Sequence, residues 1–212
     1  MKIALIGASG FVGSAILDEA VSRGHSVTAI VRDTSKVAHH PQITTVAVDA
    51  QDPQALADVL KGQDRVISAY NPGWSAPDIH DQYLKGASAI VEAAKAAHSW
   101  LLVVGGAGSL EIAPGVQLVD TPDFPAEWKQ GALAARDGLT ALRREAALDW
   151  RFVSPPVFLE PGEKRGGYRL GGDQVLFSGD KPAGITVGDL ANAVLNEAEQ
   201  PAHLRQRFTL GY

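Results

Sequence analysis

Three observations predict an α/β fold built on a doubly wound parallel sheet. Strand-like and helix-like segments alternate from the N-terminus to Ser154. The first strand-like run ends in a turn that carries glycines at three-residue spacing, and a helix-like run follows that turn. Beyond Ser154, paired prolines and glycines interrupt the alternation. Such alternation is typical of βαβ units, in which a helix joins two parallel strands.

The predicted strands are short apolar runs, as expected where a parallel sheet is covered on both faces. In chain order these are Lys2–Ile6, Ser26–Val31, Ile43–Val48, Arg65–Tyr70, Trp100–Val104 and Arg151–Ser154. Two further runs, Tyr168–Leu170 and Gln174–Phe177, predict a hairpin, and Arg207–Leu210 predicts a final strand.

The predicted helices carry apolar residues at spacings of three and four, which places those residues on one inward face. Asp52 is a predicted N-cap for a helix over Pro53–Lys61, and Thr186 or Gly188 for a helix over Asp189–Glu199. The inward faces are Val12, Ala15, Ile16 and Ala20; Ile79, Tyr83, Ala87, Ile90, Ala94 and Ala97 within Asp78–His98; and Trp128, Ala132, Ala135, Leu139, Leu142 and Ala146 within Ala126–Leu148.

Length and composition predict one globular domain over residues 1–212, in which residues 155–212 contribute a cover on the substrate side of the sheet. The net charge of −5 does not favour nucleic acid, and no apolar run approaches the roughly 20 residues of a membrane helix. Cysteine is absent, and the N-terminal apolar run is too short for a signal peptide. We expect a cytoplasmic monomer or homodimer with no nucleic-acid or membrane partner.

The glycine turn, Gly7-Ala8-Ser9-Gly10-Phe11-Val12-Gly13, predicts a phosphate site. A helix N-terminus after such a turn presents free backbone N–H groups at its positive end. Gly7 would allow the tight turn, Gly10 the approach of a pyrophosphate, and Gly13 the close packing of helix on strand. The spacing resembles that of short-chain and extended dehydrogenases, which implies a Rossmann-type fold that binds NAD(P).

The end of the second strand bears on the choice of nucleotide. Arg32 stands where an arginine accommodates the 2′-phosphate of NADP, so we favour NADP and keep NAD as the alternative. Asp33 would disfavour a phosphate if it pointed inward. Asp49, at the end of the third strand, has two interpretations: contact with the adenine amino group, as in similar families, or a cap on its own turn.

The usual acid/base pair for carbonyl reduction is missing. Dehydrogenases of this kind that act on alcohols use a tyrosine with a lysine four residues later, and no tyrosine here has that lysine. A flavin or a quinone can accept hydride without such a group, because protons can arrive from water. Histidines give no metal-ligand spacing, so no metal site is predicted. His80 has two interpretations, a proton donor or, as we favour, an exposed surface histidine.

Four segments together resemble the NADH-flavin reductase family of atypical short-chain dehydrogenases, which is similar to NmrA-like proteins and to biliverdin reductase B. They span nearly the whole chain. The resemblance implies NAD(P)H binding, with a flavin such as FMN or FAD, or another small planar acceptor, as substrate. The segments are Gly7–Gly13, Val103–Leu110, Trp150–Pro156 and Arg207–Tyr212.

The resemblance also implies a role for individual residues of this chain. Ser109 would orient a carbonyl of the substrate, or else cap a turn. Lys129 could reach a ribose, or else be an exposed helical lysine. The diphosphate would lie on Gly7, Ser9, Gly10, Phe11 and Val12; the nicotinamide-side ribose on Ala69, Tyr70 and Asn71; the nicotinamide ring on Gly105, Gly106 and Ser109; and its carboxamide on Pro155, Pro156 and Val157.

Three functions remain open at this point. The first is an NAD(P)H-dependent reductase of a flavin, quinone or similar planar acceptor. The second is an NmrA-like regulator that senses the dinucleotide without turnover. The third, a sugar-nucleotide epimerase or dehydratase, is disfavoured because that chemistry needs the tyrosine base.

Overall fold

A computed structural model describes residues 1–212 as alternating strands and helices. The strands are β1 (Lys2–Ile6), β2 (Ser26–Val31), β3 (Ile43–Ala47), β4 (Arg65–Ser68), β5 (Trp100–Val104), β6 (Glu111–Ala113), β7 (Val116–Gln117), β8 (Asp149–Ser154), β9 (Phe158–Glu160), β10 (Arg169–Gly171), β11 (Phe177–Ser178), β12 (Lys181–Pro182), β13 (Gly184–Thr186) and β14 (Gln206–Gly211). The helices are α1 (Phe11–Ser22), α2 (Pro53–Leu60), α3 (Ile79–Ala96), α4 (Ala126–Leu142) and α5 (Val187–Glu199).

Eight strands form the central sheet, in the order β10-β14-β8-β5-β4-β1-β2-β3. Every neighbouring pair is parallel except β10 and β14, which are antiparallel. The chain starts at β1, moves outward to β3 and then crosses back to β4, so the strand order reverses between β1 and β4. This confirms the predicted doubly wound sheet. Open α/β sheets bind ligands at the carboxyl ends of the strands beside such a reversal.

Helices cover both faces of the sheet. Helices α1 and α5 pack together on one face, while α2, α3 and α4 pack side by side on the other. Strand β1 shows how the sequence serves both layers: Ile3 and Leu5 lie in the core beneath α1 and α5, and Ala4 and Ile6 lie in the core beneath α2 to α4. Alternate side chains of a strand point to opposite faces, so its continuous apolar run is buried on both.

Local capping signals give the predicted helix starts. The Asp52 carboxylate accepts a hydrogen bond from the Ala55 N–H at 3.0 Å, and Pro53 is the first residue of α2. The Thr186 hydroxyl accepts one from the Asp189 N–H at 3.2 Å at the start of α5. Each cap satisfies an N–H of the first turn that has no partner within the helix. No helix combines the length and the hydropathy needed to cross a bilayer.

Two sequence-based expectations about packing are wrong. The predicted hairpin does not form, because residues 169–171 pair with the final strand β14 and Phe177 pairs with Pro182. The inward face of α4 starts at Ala132 rather than at Trp128, whose side chain is 54% exposed.

Residues 155–212 contribute to the central layers as well as to the sheet edge. Strand β14 inserts beside β8, and α5 packs on α1. The short strands β9 and β13 form a parallel pair apart from the central sheet.

Candidate dinucleotide site

The turn between β1 and α1 is shaped by two glycines that the fold itself requires. Gly7 has φ +80°, and a Cβ on it would lie 2.6 Å from the Ala69 carbonyl oxygen. A Cβ on Gly13 would lie 2.0 Å from the Gly7 carbonyl oxygen. A side chain at either position would force β1, α1 and the residues after β4 apart. These two glycines are therefore explained by packing within the protein.

Gly10 is different, because nothing in the protein requires a glycine there. Its φ of −81° and ψ of 171° suit any residue, and it is exposed. A Cβ on Gly10 would lie 3.5 Å from its nearest neighbour, the Gly7 carbonyl oxygen, which is ordinary contact. No side chain caps α1, so its first-turn N–H groups keep their capacity to bind an anion. A group that approaches from outside would explain the glycine, and a dinucleotide diphosphate fits this cradle.

The side chains expected beside the diphosphate lie on the same turn. Ser9 and Phe11 are exposed, with Phe11 52% accessible, whereas Val12 is half-buried and packs against the core. The Ser9 hydroxyl makes no hydrogen bond within the protein. The turn thus presents the Ser9 hydroxyl and the α1 amides at one edge of the sheet.

Arg32 follows β2 at the same edge, because β2 runs parallel to β1 with Ile30 opposite Ile6. Its side chain is exposed and forms no hydrogen bond or ion pair. Asp33 does not pair with it; the Asp33 carboxylate accepts hydrogen bonds from the Ser35 hydroxyl at 2.6 Å and from the Ser35 N–H at 3.1 Å. These bonds from Ser35 lower the pKa of Asp33. The guanidinium of Arg32 is thus an unpaired cation at the same edge of the sheet as the glycine turn.

Asp49 and Tyr70 make local contacts. The exposed Asp49 carboxylate accepts a hydrogen bond from the Gln51 N–H at 2.9 Å, the contact expected of a residue that caps its own turn. The Tyr70 ring lies on Gly86 of α3, where a Cβ would be 2.3 Å from the ring. Its hydroxyl donates to the Gln82 carbonyl oxygen at 3.0 Å, and burial raises its pKa.

The other residues of the β4 loop stay near the glycine turn. The Ala69 N–H donates to the Ile6 carbonyl oxygen at 2.9 Å, and the Asn71 side chain accepts from the Gly73 N–H at 2.8 Å. The Tyr70 ring is turned toward α3. The loop therefore presents the backbone of Tyr70 and of its neighbours at the sheet edge.

The segments expected at the nicotinamide follow β5 and β8, which are neighbours in the sheet. Gly105 lies directly on the Phe152 ring, since a Cβ would be 1.9 Å from it. Gly106 is half-buried, and Ser109 is only 4% exposed. Pro155 and Pro156 are buried, and Val157 is half-buried. The structure therefore brings these predicted residues to one edge of the sheet, with Ser109 beneath the surface.

Arg207 of β14 is a polar residue of this region that sequence reasoning missed. Its Nη1 donates to the Ser109 hydroxyl at 3.3 Å and to the Ser154 hydroxyl at 3.1 Å. Its Nε donates to the Asp173 carboxylate at 2.7 Å. Although burial opposes the charged form, the Arg207 guanidinium holds the pKa of Asp173 below its ordinary value. The sequence contained one signal for Arg207, a charged residue in an otherwise buried strand. A buried charge needs a partner within the protein.

Trp74 lies in the loop between β4 and α3 and is 62% exposed. It is held against α4 at Gly131, where a Cβ would be 2.7 Å from the indole ring. An open cavity of about 510 Å³ lies beside it, between the start of α3 and the start of α4. A broad apolar ring next to a cavity can stack on a flat ligand.

His80 lines the same cavity and connects the two helices. Its Nε2 lies 3.1 Å from the Asp137 carboxylate of α4, and its Nδ1 lies 3.2 Å from the Asp81 carboxylate. The bond with Asp137, and secondarily that with Asp81, raises the pKa of His80. Lys129 is exposed on α4 and makes no ion pair.

A second cavity, of about 360 Å³, lies between α3 and α4 against the sheet and has a mostly apolar lining. None of the glycine-turn residues lines it. Tyr83 borders it without a hydrogen-bond partner, and burial raises the pKa of Tyr83 to about 12. Of the predicted cofactor residues, Tyr70 alone lines this cavity.

Comparison with known proteins matches residues 7–201 to the family model described as NAD(P)H-binding. The chain belongs to this NAD(P)H-binding family. The match begins at Gly7, the first glycine of the turn. Together with the Rossmann-type sheet, it supports a nicotinamide dinucleotide as the cofactor of a general NAD(P)-dependent oxidoreductase.

Three proteins are similar to this chain over nearly the whole length of both sequences. Protein YwnB of Bacillus subtilis (strain 168), named as uncharacterized, is 41% identical over 99% of this chain and 98% of its own length. A "putative epimerase" of Bacteroides thetaiotaomicron is 41% identical, with a TM-score of 0.93 over 100% of this chain and 96% of its own. A "putative NADH-flavin reductase" of Streptococcus pneumoniae TIGR4 is 38% identical, with a TM-score of 0.88 over 100% and 99%.

Proposed function

We propose that this protein is an NADPH-dependent reductase that passes hydride to a flavin, a quinone or a similar planar acceptor. The observation that carries the proposal is the environment of the four tyrosines. No tyrosine hydroxyl is set up as an acid/base group beside the segments that follow β5 and β8. The proposal therefore favours an acceptor that takes hydride without a proton from a protein side chain.

Three of the tyrosine hydroxyls have partners elsewhere. Tyr70 donates to the Gln82 carbonyl oxygen. Tyr168 donates to the Asn192 side chain at 2.9 Å, and Tyr212 donates to the Asp189 carboxylate at 2.6 Å. Tyr83 lies buried between α3 and α4. With a pKa near 12, Tyr83 is a poor proton donor at neutral pH.

The nicotinamide supplies the hydride when the dinucleotide is bound. In the proposed site, the amides of Phe11 and Val12 and the hydroxyl of Ser9 bind the diphosphate. Arg32 pairs with a 2′-phosphate, which is why we propose NADPH over NADH. Trp74 orients the acceptor by stacking, and one proton for each reduced acceptor comes from water.

The name of the pneumococcal relative agrees with this proposal, and that of the Bacteroides relative points to a different reaction. An epimerase of this fold needs a tyrosine base, which the four tyrosine environments do not provide. A regulator that binds the dinucleotide without turnover needs no acid/base group either. It is the second candidate, favoured by the same observation.

Steady-state oxidation of NADPH, followed by its absorbance, separates these functions. We expect turnover with FMN, FAD or a quinone as acceptor, and faster turnover with NADPH than with NADH. The matched control is Gly10→Val, which fills the diphosphate space and should not turn over. Tight NADPH binding without turnover by any acceptor would favour the sensor instead.

A further inference from the structure

Arg207 links three segments of the chain that are distant in sequence. Ser109 ends the turn that follows β5, Ser154 ends β8, and Asp173 lies in the loop after β10. The residues that Arg207 contacts are 34, 53 and 98 positions away from it. One side chain thus connects two loops at the carboxyl edge of the sheet to the segment that covers them.

The guanidinium uses all three of its nitrogens in these contacts. In addition to the bonds described above, Nη2 donates to the carbonyl oxygen of Ser109 at 3.4 Å and to that of Asp173 at 3.1 Å. An arginine side chain carries only donors. The two serine hydroxyls must therefore accept from Arg207, which leaves the proton of each hydroxyl directed elsewhere.

The contact with Asp173 extends the network into the cover. Asp173 also pairs with Arg143 at 2.5 Å. Its carbonyl oxygen accepts from the Glu111 N–H at 2.8 Å, and the Val175 N–H donates to the Glu111 carbonyl oxygen at 2.9 Å. Arg207 is only 7% exposed, so water can replace few of the bonds that its own guanidinium makes.

The two loops held by Arg207 are those expected at the nicotinamide. Gly105 and Gly106 precede Ser109 in one loop, and Pro155 follows Ser154 directly in the other. A reacting ring must be held in a near-attack geometry, and a misplacement of about 1 Å can lower a rate about 10²-fold. The spacing of these loops therefore matters more to reaction than to binding.

We propose that Arg207 is the positioning residue for the nicotinamide end of the site, and that it sets the distance between the two loops through Ser109 and Ser154. This inference rests on the proposed function. In this proposal Arg207 acts through the two serines and not by contact with the dinucleotide. The adenine and phosphate end, held by the glycine turn and Arg32, does not depend on it.

Arg151 provides a matched control. It is also a buried arginine in the central sheet, 4% exposed, and its strand β8 pairs with β14. It pairs with Asp149 and with Glu197 and lies 4.9 Å from the centre of the Trp100 ring. None of these partners belongs to the two loops. Replacing the Arg151 guanidinium therefore perturbs a buried charge without changing a contact of the two loops.

The experiment compares Arg207→Lys with Arg151→Lys. Lysine keeps the positive charge but cannot reproduce the several N–H donors of a planar guanidinium. Saturation-transfer NMR on NADPH bound to each variant reports contact at the nicotinamide protons and at the adenine protons separately. We expect Arg207→Lys to lose saturation of the nicotinamide protons and to keep that of the adenine protons. We expect Arg151→Lys to keep both.

Turnover gives a second, independent readout. Arg207→Lys should lower kcat with a flavin or quinone about 10²-fold while the Kd for NADPH changes less than about tenfold. Full nicotinamide saturation in Arg207→Lys would overturn the inference, as would equal losses at both ends in both variants. If the parent binds NADPH but reduces no acceptor, the proposed function fails, and the saturation pattern still decides the role of Arg207.

Discussion

The two ends of the carboxyl edge are built in different ways. At the glycine turn, the Ser9 hydroxyl and the first amides of α1 come from one short stretch, and no side chain of the protein caps these amides. At the other end, Ser109, Ser154 and Arg207 are buried, and Arg207 donates to both serine hydroxyls. The polar groups of the first end are free to bind a ligand, whereas those of the second end are hydrogen-bonded within the protein.

This difference implies that the two ends have different roles in binding and in reaction. A site made from free backbone amides and one unpaired arginine contributes mainly affinity. A site whose polar groups are saturated within the protein contributes shape, because its loops cannot shift independently. We therefore expect substitutions at the glycine turn to change cofactor affinity, and replacement of the Arg207 guanidinium to change turnover.

The largest expected effect is loss of dinucleotide binding in Gly10→Val. The backbone at Gly10 suits valine and a Cβ there is only in ordinary contact, so the variant should fold. Its side chain would occupy the diphosphate space. Fluorescence titration with NADPH measures the affinity, and thermal unfolding checks the fold.

Gly13→Val is the contrasting variant, because a Cβ there would lie 2.0 Å from the Gly7 carbonyl oxygen. We expect it to lose stability as well as binding. If a folded Gly10→Val keeps the parent's affinity for NADPH, the assignment of the turn to the diphosphate is wrong.

Arg32→Ala should weaken NADPH about ten- to hundredfold, since the lost charge-assisted bond contributes about 1.5–3 kcal/mol. The affinity for NADH should hardly change, because NADH has no 2′-phosphate. Isothermal titration with both nucleotides measures this difference. Lys36→Ala, which removes an exposed cation from the same loop, is the control. Equal losses of NADPH and NADH affinity in Arg32→Ala would show that Arg32 does not read the 2′-phosphate.

Ser109→Ala should retain NADPH oxidation within about tenfold of the parent, since the loss of a general acid lowers rates about 10²–10⁴-fold. Arg207 keeps its bonds to Ser154, to Asp173 and to the Ser109 carbonyl oxygen. Stability should fall by about 1–3 kcal/mol, because a buried donor loses its acceptor. Steady-state kinetics and denaturant unfolding measure the two effects.

Lys129→Ala is the companion variant, with an exposed side chain and no ion pair. It too should retain oxidation of NADPH. A collapse of turnover in Ser109→Ala at unchanged NADPH affinity would instead favour carbonyl reduction with Ser109 as a catalytic hydroxyl.

The smallest expected effect is a pH dependence of stability from His80. Its pKa in the folded protein is raised above 6.5, chiefly by Asp137, so the folded state binds the proton more tightly than the unfolded state. The resulting stabilisation is complete below about pH 6.5 and is lost as the pH rises through the raised pKa. Thermal unfolding at a series of pH values should show a smaller acid-side gain in His80→Gln.

His39→Gln is the control, because His39 is exposed and makes no hydrogen bond. Its stability profile should follow that of the parent. An unchanged profile in His80→Gln would mean that the contact between α3 and α4 does not titrate with His80.

The sequence by itself predicted the features that depend on neighbouring residues. Strands β1, β2 and β5 have the predicted bounds, and α2 starts at the predicted Asp52 cap. The glycine turn, with its helix N-terminus, is local in the same sense. Parallel strands share one carboxyl edge, so the sequence could also predict that Gly7, Arg32 and Gly105 lie at that edge.

Only the tertiary structure decided the features that depend on distant partners. The residues of β10 could not be assigned to β14 rather than to a hairpin, because an edge strand pairs with whichever strand is left open. Trp128 fits the apolar rhythm of α4, yet it extends past the core that α3 and the sheet provide. In the sequence, Arg207 is a single charged residue of the final strand. Its role depends on Ser109, Ser154 and Asp173, which only folding brings within hydrogen-bond distance.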